Sequence, residues 1–343
     1  MCLSSRSKFV LLSLGFLLLT FIFVFYWLLF LPPSKTASAK LIFIKKGTNL
    51  KKVSELLEQE GIIKNRQIFI LLTTILGKKT KVKAGEYEFH TQMLPLEVLD
   101  ALVKGQVKHH LVTIPEGYTL SQVAQLLDDL TIVDKKSFLQ KASSPSFIDA
   151  LSLSQLAGPT FEGCLFPDTY HLFRQMDPEE VIRMMVLQFK KIFEPDLVNR
   201  ASELGISERE VVILASIIEK ETPLVEEKPL ISAVFHNRLK KRIPLQSDPT
   251  VIYGIKNFNG NLTKEDLLRP TPYNTYLLVG LPPTPICNPG KESLRAAVYP
   301  APVAFLYFVS RNDGSHYFSS DIEEHNRAVW KYQKKRPLRE VLK

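Results

Sequence analysis

The sequence predicts an α+β protein with an N-terminal transmembrane helix, a small α+β module and a larger α+β domain. Three observations lead to this prediction. An uncharged apolar stretch lies near the start of the chain, a strand-turn-helix pattern occurs twice in the following hundred residues, and amphipathic helices are joined by proline-rich loops in the remainder. The expected parts are a short N-terminus (1–8), the transmembrane helix (9–31), the module (40–150) and the larger domain (155–343).

Residues 9–31 form 23 consecutive uncharged residues, which suffice to cross a hydrocarbon layer of roughly 30 Å. A cleaved signal peptide is the alternative, but its apolar region is about 7 to 15 residues long and ends at small residues. Here the stretch is longer and its end is rich in bulky aromatics. Because Arg6 and Lys8 precede it, the positive-inside rule places the N-terminus in the cytoplasm and the bulk of the chain outside.

The charge balance favours anionic partners. The chain has 44 Lys plus Arg against 35 Asp plus Glu, which suits lipid headgroups or an acidic cell-wall polymer. The basic residues are scattered and form no nucleic-acid motif, so nucleic acid is not an expected partner. Three cysteines are too few for a disulfide framework, and one bridge between Cys164 and Cys287 stays open.

A weak internal repeat organises the predicted module. Residues 44–57 and 114–127 agree in their apolar positions and in Gly47 and Gly117. Each copy predicts a strand, a glycine turn and a short helix with one apolar face. Between them, residues 67–76 and 94–102 predict helices and residues 84–89 a strand. Ordinary β-α packing would by itself produce such a repeat, so the repeat alone does not indicate a ligand.

The strongest chemical signal lies on a predicted helix that begins at Ser207. Ser207 and Glu210 form a capping-box pattern. At 100° per residue, Glu221 lies about 50° from the apolar direction of this helix and Glu219 about 110°. A carboxyl held against apolar walls has a raised pKa, as a general acid requires. By position alone, Glu221 could also be a capping or ion-pair residue.

Proline-rich loops with Tyr, Asn and Thr follow this helix, at residues 269–276 and 280–290. Such ordered loops often carry ligand-binding groups. Asp248 is expected to cap a helix whose first residue is Pro249. Earlier in the chain, residues 161–170 place aromatics beside carboxylates, a pattern that fits either a sugar-binding cleft or a tight turn.

No metal or cofactor is expected. The sequence has no His-Cys cluster with zinc spacing, no P-loop and no dinucleotide fingerprint. His109 and His110 are interpreted as a strand-edge pair. His236, His316 and His325 are interpreted as structural histidines, although His236 could act as an acid or base.

Several long motifs occur in a fixed order along the exported part: EGCLFPDTY (162–170), ASIIEKET (215–222), FHNRL (235–239), QSDPTVIYG (246–254), PYNTY (272–276), GLPPTPICNPG (280–290) and LYFVS (306–310). With them the chain resembles the endolytic murein transglycosylases of the YceG-like type. The anchor and a LysM-like module fall where that family has them, so the resemblance covers nearly the whole exported part.

The resemblance implies a lyase that cuts the β-1,4 bond between N-acetylmuramic acid and N-acetylglucosamine in nascent strands and leaves a 1,6-anhydro end. The family's catalytic glutamate maps to Glu221, with Glu219 as the alternative. Substrate-binding positions are Glu219, Gln246, Asp248, Tyr253, Tyr273 and Asn274. The expected partners are peptidoglycan strands, the membrane and peptidoglycan synthases, and the expected location is the inner membrane.

Two other functions remain open. A hydrolase of the same bond would need a second carboxylate such as Asp248 to direct water. A glycan-binding scaffold of the elongation machinery would need no catalytic group, so replacing Glu221 by Gln would leave its role intact.

Overall fold

The computed structural model describes residues 13–17, 19–20, 23–24, 26–27, 31–34, 36–45, 47–193 and 195–334. About half of the predicted transmembrane segment 9–31 lies outside these residues, as does all of the N-terminus 1–8. Within the described ranges, no helix combines the length and the apolar character needed to cross a bilayer. The chain divides into two compact units, one of residues 1–110 and 171–176 and one of residues 111–170 and 177–343.

The first unit is a two-stranded antiparallel sheet packed against helices. Strand β1 (Ala39–Ile44) pairs antiparallel with β2 (Gly85–His90), with Ala39 opposite His90 and Ile44 opposite Gly85. Its helices are α1 (Leu50–Gln59), α2 (Arg66–Ile75) and α3 (Pro95–Lys104). Apolar side chains from both strands and all three helices form one core, in which Phe69, Tyr87 and Phe89 are the largest buried groups.

The second unit is mainly helical. Strands β3 (His110–Thr113) and β4 (Thr169–Leu172) each have residues in both units. The remaining helices and strands belong to the second unit: α4 (Leu120–Asp129), α5 (Lys135–Ala142), α6 (Pro145–Ala150), α7 (Pro178–Ile192), α8 (Pro195–Leu204), α9 (Glu208–Glu221), α10 (Lys228–Lys240), α11 (Asp248–Gly254), α12 (Lys264–Leu267), α13 (Lys291–Val298), β5 (Tyr307–Ser310), β6 (His316–Ser319) and α14 (Ile322–Val329). Strands β5 and β6 form an antiparallel hairpin. Helices and short sheets therefore coexist, which confirms the predicted α+β class.

Helix α9 is the central element of the second unit. Every residue from Val211 to Ile218 is buried. The predicted capping box is present, because the Ser207 side chain accepts from the Glu210 N–H while Glu210 accepts from the Ser207 N–H. The helix ends at Glu221, and the capping residue Thr222 has the extended backbone that suits a residue before proline. Glu221 thus occupies the last turn of a rigid, buried helix.

The division between the units differs from the predicted domain boundaries. The first copy of the repeat belongs to the first unit, whereas residues 111–150, predicted to be part of the module, pack within the second. In the second copy, the Leu120 N–H donates to Glu162 and the Ile114 N–H donates to the Asp168 carbonyl. The two copies therefore bury their apolar faces in different cores.

Candidate active site

The Glu221 carboxyl is held in an environment that favours its protonated form. The residue is partly buried at the end of α9. Burial raises its pKa from 4.5 to about 7, the hydrogen bond from Ser247 lowers it, the neighbouring charge of Asp248 raises it, and Arg238 lowers it. A group with this pKa is present in both protonation states near neutral pH, which suits proton transfer in either direction.

Ser247 is the direct hydrogen-bond partner of Glu221. Its hydroxyl donates to Glu221 Oε1 at 2.5 Å. The Ser247 backbone is fixed by Thr275, because the Ser247 N–H donates to the Thr275 hydroxyl at 3.0 Å and the preceding Gln246 N–H donates to the Thr275 carbonyl at 3.0 Å. Gln246 has a left-handed backbone (φ 54°), which turns the chain immediately before this serine.

The predicted role of Asp248 as a helix cap is wrong by one residue. Ser247 occupies the capping position of α11, but its side chain makes no capping hydrogen bond because it binds Glu221. Asp248 is the first residue of the helix, and its carboxylate accepts a 2.6 Å hydrogen bond from the Tyr276 hydroxyl. Burial raises the pKa of this tyrosine, so Tyr276 stays a donor.

Arg238 joins the segment before Ser247 to the start of the β5–β6 hairpin. Its Nε donates to the Leu306 carbonyl at 2.7 Å, and its Nη1 donates to the Leu245 carbonyl at 2.8 Å and to Gln246 Oε1 at 3.2 Å. The guanidinium also lies 5.2 Å from the Tyr307 ring centroid. A buried cation with this many acceptors fixes the segment before Ser247 relative to the β5–β6 hairpin.

The Glu221 carboxyl opens into a cleft of about 370 Å³. Its polar lining includes Glu221, Arg238, Gln246, Asp248, Tyr276, His316 and His325. Three of the residues predicted from the sequence, Glu221, Gln246 and Asp248, therefore come together here. Carboxyl, amide, hydroxyl and imidazole groups in one open cleft can bind a polyhydroxylated substrate and move its protons.

Glu219 lies in a different environment from Glu221. Its carboxylate pairs with the buried Lys228 at 3.2 Å and accepts from the Gly290 N–H at 3.0 Å and the Ser293 hydroxyl at 2.6 Å. These contacts lie at the N-terminus of α13, where negative charge is stabilised. Glu219 does not line the cleft and makes a structural ion pair.

Three other predicted substrate-binding residues lie outside the cleft lining. The Tyr253 hydroxyl donates to Glu162 Oε2 at 3.0 Å, and the Tyr273 hydroxyl shares a 2.7 Å hydrogen bond with Thr284. Asn274 is fully buried and donates to two backbone carbonyls, while its Oδ1 accepts from the Tyr276 N–H. Asn274 therefore shapes the loop that presents Thr275 and Tyr276.

A second carboxyl with a raised pKa occurs away from this cleft. Burial raises the pKa of Glu162 to about 7, although hydrogen bonds from the Leu120 N–H and the Tyr253 hydroxyl oppose the increase. The neighbouring Cys164 and Cys287 are both buried free thiols, so the disulfide left open by the sequence is not formed.

Sequence reasoning missed Ser247 as the hydrogen-bond partner of Glu221, and it missed Arg238, Tyr276, His316 and His325 as cleft residues. The first three stand inside motifs that carried the family resemblance, so their motif membership was the available signal. The sequence favours a structural role for the two histidines, because nothing in their local sequence distinguishes a buried histidine from one that lines a cleft.

The site places a carboxyl of raised pKa in a polar cleft, an arrangement that suits an enzyme of acid–base chemistry. The chain belongs to the YceG-like family, whose model matches residues 42–331, as the motifs predicted. It is 30% identical over 305 residues to a Bacillus subtilis protein named endolytic murein transglycosylase, covering 85% of this chain and 84% of that protein.

Two further similar proteins support membership of this family. A Streptococcus pneumoniae (strain D39) protein of the same name is 30% identical over 315 residues, which span 83% of this chain but only 57% of the relative. The crystal structure of a putative YceG-like protein from Listeria monocytogenes is 31% identical, matches with a TM-score of 0.58, and is covered completely by 85% of this chain. The names of the relatives agree with the predicted enzyme class, a lytic transglycosylase.

Proposed function

We propose that this chain is a peptidoglycan lytic transglycosylase that acts within glycan strands. It cleaves the β-1,4 bond between N-acetylmuramic acid and N-acetylglucosamine, leaves a 1,6-anhydro-muramyl end, and thereby terminates nascent strands. The observation that carries the proposal is Glu221, a carboxyl whose pKa burial raises to about 7 in a polar cleft. The names of the relatives supply the substrate class.

Glu221 begins the reaction in its protonated form. It donates its proton to the glycosidic oxygen, and the C6 hydroxyl of the muramyl residue closes on C1 as the C1–O bond breaks. In the one-carboxyl mechanism that the family resemblance implies, the resulting Glu221 carboxylate takes the proton of that hydroxyl. Ser247 then stabilises the carboxylate through its hydrogen bond, and the nearby Arg238 supplies favourable charge.

Gln246 and Asp248 bind the sugar hydroxyls in this proposal. Both line the cleft with Glu221, and Gln246 is exposed. Tyr253, Tyr273 and Asn274 act indirectly by supporting α11 and the 271–276 loop. Glu219 stabilises the end of α9 and contacts no substrate.

Hydrolysis of the same bond is the second candidate. Asp248 supports it, because its charge lies close enough to raise the pKa of Glu221 and it occupies the same cleft. In that reaction Asp248 would direct a water molecule onto C1, and the product would carry an ordinary reducing end.

The proposed location rests on the sequence. Residues 9–31 anchor the chain in the inner membrane with the N-terminus in the cytoplasm and the catalytic part outside. There the enzyme meets strands as peptidoglycan synthases produce them, and the LysM-like module provides a further glycan contact.

The product distinguishes these functions. The full chain is incubated with uncrosslinked glycan strands in water enriched in ¹⁸O, and the new ends are analysed by mass spectrometry. The proposal predicts anhydro-muramyl ends without the label. Labelled reducing ends would assign a hydrolase, and the absence of any new end would favour the binding scaffold.

A further inference from the structure

A buried carboxylate joins the helix that carries the proposed acid to a strand of the cleft. Glu227, which directly precedes helix α10, is only 7% exposed. Its Oε2 accepts a hydrogen bond from the Thr222 hydroxyl at 3.3 Å and lies 2.6 Å from His316 Nδ1. Its Oε1 accepts from the His316 backbone N–H at 2.8 Å. Burying a carboxylate is unfavourable unless its oxygens are hydrogen-bonded, and these contacts reach the end of α9 and strand β6.

On one side, Glu227 fixes the turn that ends α9. Thr222 directly follows Glu221, and its N–H donates to the Ile218 carbonyl at 3.4 Å, which closes the last turn of the helix. The Thr222 hydroxyl accepts from the Leu224 N–H at 3.1 Å while it donates to Glu227. Because the two residues are adjacent, a displacement of Thr222 would move the Glu221 carboxyl with it.

On the other side, Glu227 fixes the β5–β6 hairpin. The residues of this hairpin that line the cleft are Phe308, Val309, Ser310 and His316. His316 is the first residue of β6 and lies opposite Ser310 of β5, and its ring packs edge-on against Phe308 at 5.4 Å between centroids. Since Glu227 contacts both the backbone N–H and the ring of His316, it holds the strand and the side chain together.

We propose that Glu227 is a positioning residue of the reaction, whose carboxylate holds the end of α9 and the β5–β6 hairpin at the separation that the substrate requires. Glu227 does not line the cleft, so it acts through Thr222 and His316 rather than on the sugar. The proposal rests on the proposed function and leaves both proton transfers with Glu221. A displacement of about 1 Å at a catalytic group can lower a rate about 100-fold, so this connection affects turnover.

The test compares two replacements of Glu227. In Glu227→Gln, the amide oxygen can accept from the His316 N–H, and the amide nitrogen can donate to the His316 ring and to the Thr222 hydroxyl, so the connection is kept. Glu227→Ala removes all of these contacts. On uncrosslinked glycan strands, we expect kcat to fall about 100-fold in Glu227→Ala with KM changed less than threefold. In Glu227→Gln, kcat should stay within about threefold of the wild type, because the positions are retained.

The pH dependence of kcat provides a readout that a loss of stability alone would not move. Burial raises the pKa of Glu221 to about 7, so a looser end of α9 should admit water and lower this pKa. The alkaline limb of the profile should therefore move to lower pH in Glu227→Ala than in Glu227→Gln. Both variants remove the same charge, so a difference between them reports on position. Both also retain the other titratable groups that act on Glu221 or line the cleft, which are Asp248, Arg238, Tyr276, His316 and His325.

Gly163→Ala is the matched control for lost stability. An added Cβ there would lie 2.5 Å from Pro285 Cγ, and neither residue lines the cleft. Per folded molecule, its kcat and its alkaline limb should match the wild type. Thermal unfolding verifies that each variant is folded. If Glu227→Ala does not fold, Thr222→Val takes its place, because it removes the hydroxyl that binds Glu227, and kcat should fall about tenfold with the limb again at lower pH.

A kcat within twofold of the wild type in folded Glu227→Ala would overturn this inference, as would an alkaline limb at the same pH as in Glu227→Gln. Equal losses of kcat in the two Glu227 variants, or an equal loss per folded molecule in Gly163→Ala, would also overturn it. Glu221→Gln identifies the level of failure. If it is inactive while Glu227→Ala is fully active, only the positioning role fails, and if Glu221→Gln cleaves strands, the proposed function of Glu221 fails.

Discussion

The Ser247 hydroxyl lies 2.5 Å from Glu221 Oε1 and donates a hydrogen bond to it. Burial raises the pKa of Glu221, and this bond opposes the increase, because a hydrogen bond to the charged form stabilises it. One serine therefore adjusts the balance between the two protonation states that the proposed reaction needs.

Replacing Ser247 with Ala should move the pKa of Glu221 above about 7, because the opposing hydrogen bond is lost. The alkaline limb of the pH–rate profile should then shift to higher pH. We also expect kcat to fall about tenfold, since a hydrogen bond to a charged group is worth about 1.5 kcal/mol. Kinetics on uncrosslinked glycan strands between pH 5 and pH 9 measure both effects.

Ser232→Ala is the control for this experiment, because Ser232 is also buried but its hydroxyl has no hydrogen-bond partner among the described residues. Its profile should match the wild type. An alkaline limb of Ser247→Ala at or below the wild-type pH would contradict the assignment.

Glu162 should make stability depend on pH. Its pKa is about 7 in the folded protein and near 4.5 in an unfolded chain, so the folded state binds more protons between these values. Its contribution to stability is present below about pH 4.5 and is lost as the pH rises through 7. The charged form then costs roughly 3 kcal/mol. The difference in stability between Glu162→Gln and the wild type, measured by thermal unfolding at each pH, should therefore favour the variant more at pH 8 than at pH 5.

The exposed Glu323→Gln serves as the comparison, with the same small difference at both pH values expected. A Glu162→Gln effect that is equal at pH 5 and pH 8 would show that its carboxyl titrates normally in the folded protein.

Lys228→Met should destabilise the fold by about 3–5 kcal/mol, because Glu219 would remain buried with an unpaired charge. The double variant Lys228→Met/Glu219→Gln should recover part of this loss, and urea unfolding measures both. The exposed pair of Lys104 and Asp100 provides the control, since Lys104→Met should cost less than about 1 kcal/mol. Equal losses of unfolding free energy for the two lysine variants would show that burial of the Lys228–Glu219 pair does not increase the cost of breaking it.

Gly163→Ala should cost about 3 kcal/mol. Its backbone is left-handed (φ 85°), and an added Cβ would lie 2.5 Å from Pro285 Cγ and 2.9 Å from Val212 Cγ1. Gly205 is also left-handed (φ 71°) but has open space at that position, so Gly205→Ala should cost only about 1 kcal/mol. Free energies of unfolding that do not differ between the two variants would mean that the backbone alone determines the cost.

Local patterns predicted much of the fold. Strand β2 (Gly85–His90) lies within one residue of the predicted strand 84–89, and the capping box of Ser207 and Glu210 forms as expected. The apolar direction of α9 also placed Glu221 toward the core, which explains the direction of its pKa change. These features depend on contacts within one helix or strand and on the average environment of its faces.

Long-range contacts determined what the sequence could not predict. Ser247 and Asp248 both favour helix starts, and the choice between them depends on Glu221, 26 positions away. Tyr253 and Asn274 have the composition of ligand-binding loops, yet they bind Glu162 and backbone carbonyls. Glu219 is bound by Lys228 and Gly290, which come from separate segments of the chain. The pattern of its own helix therefore could not predict the ion pair.

The most direct test of the central claim compares two glutamates two residues apart. Glu221→Gln and Glu219→Gln are purified as full chains, verified as folded, and assayed for new ends on uncrosslinked glycan strands. The account predicts no cleavage by Glu221→Gln and cleavage by Glu219→Gln in proportion to its folded fraction. Cleavage by folded Glu221→Gln, or its loss in folded Glu219→Gln, would contradict Glu221 as the acid.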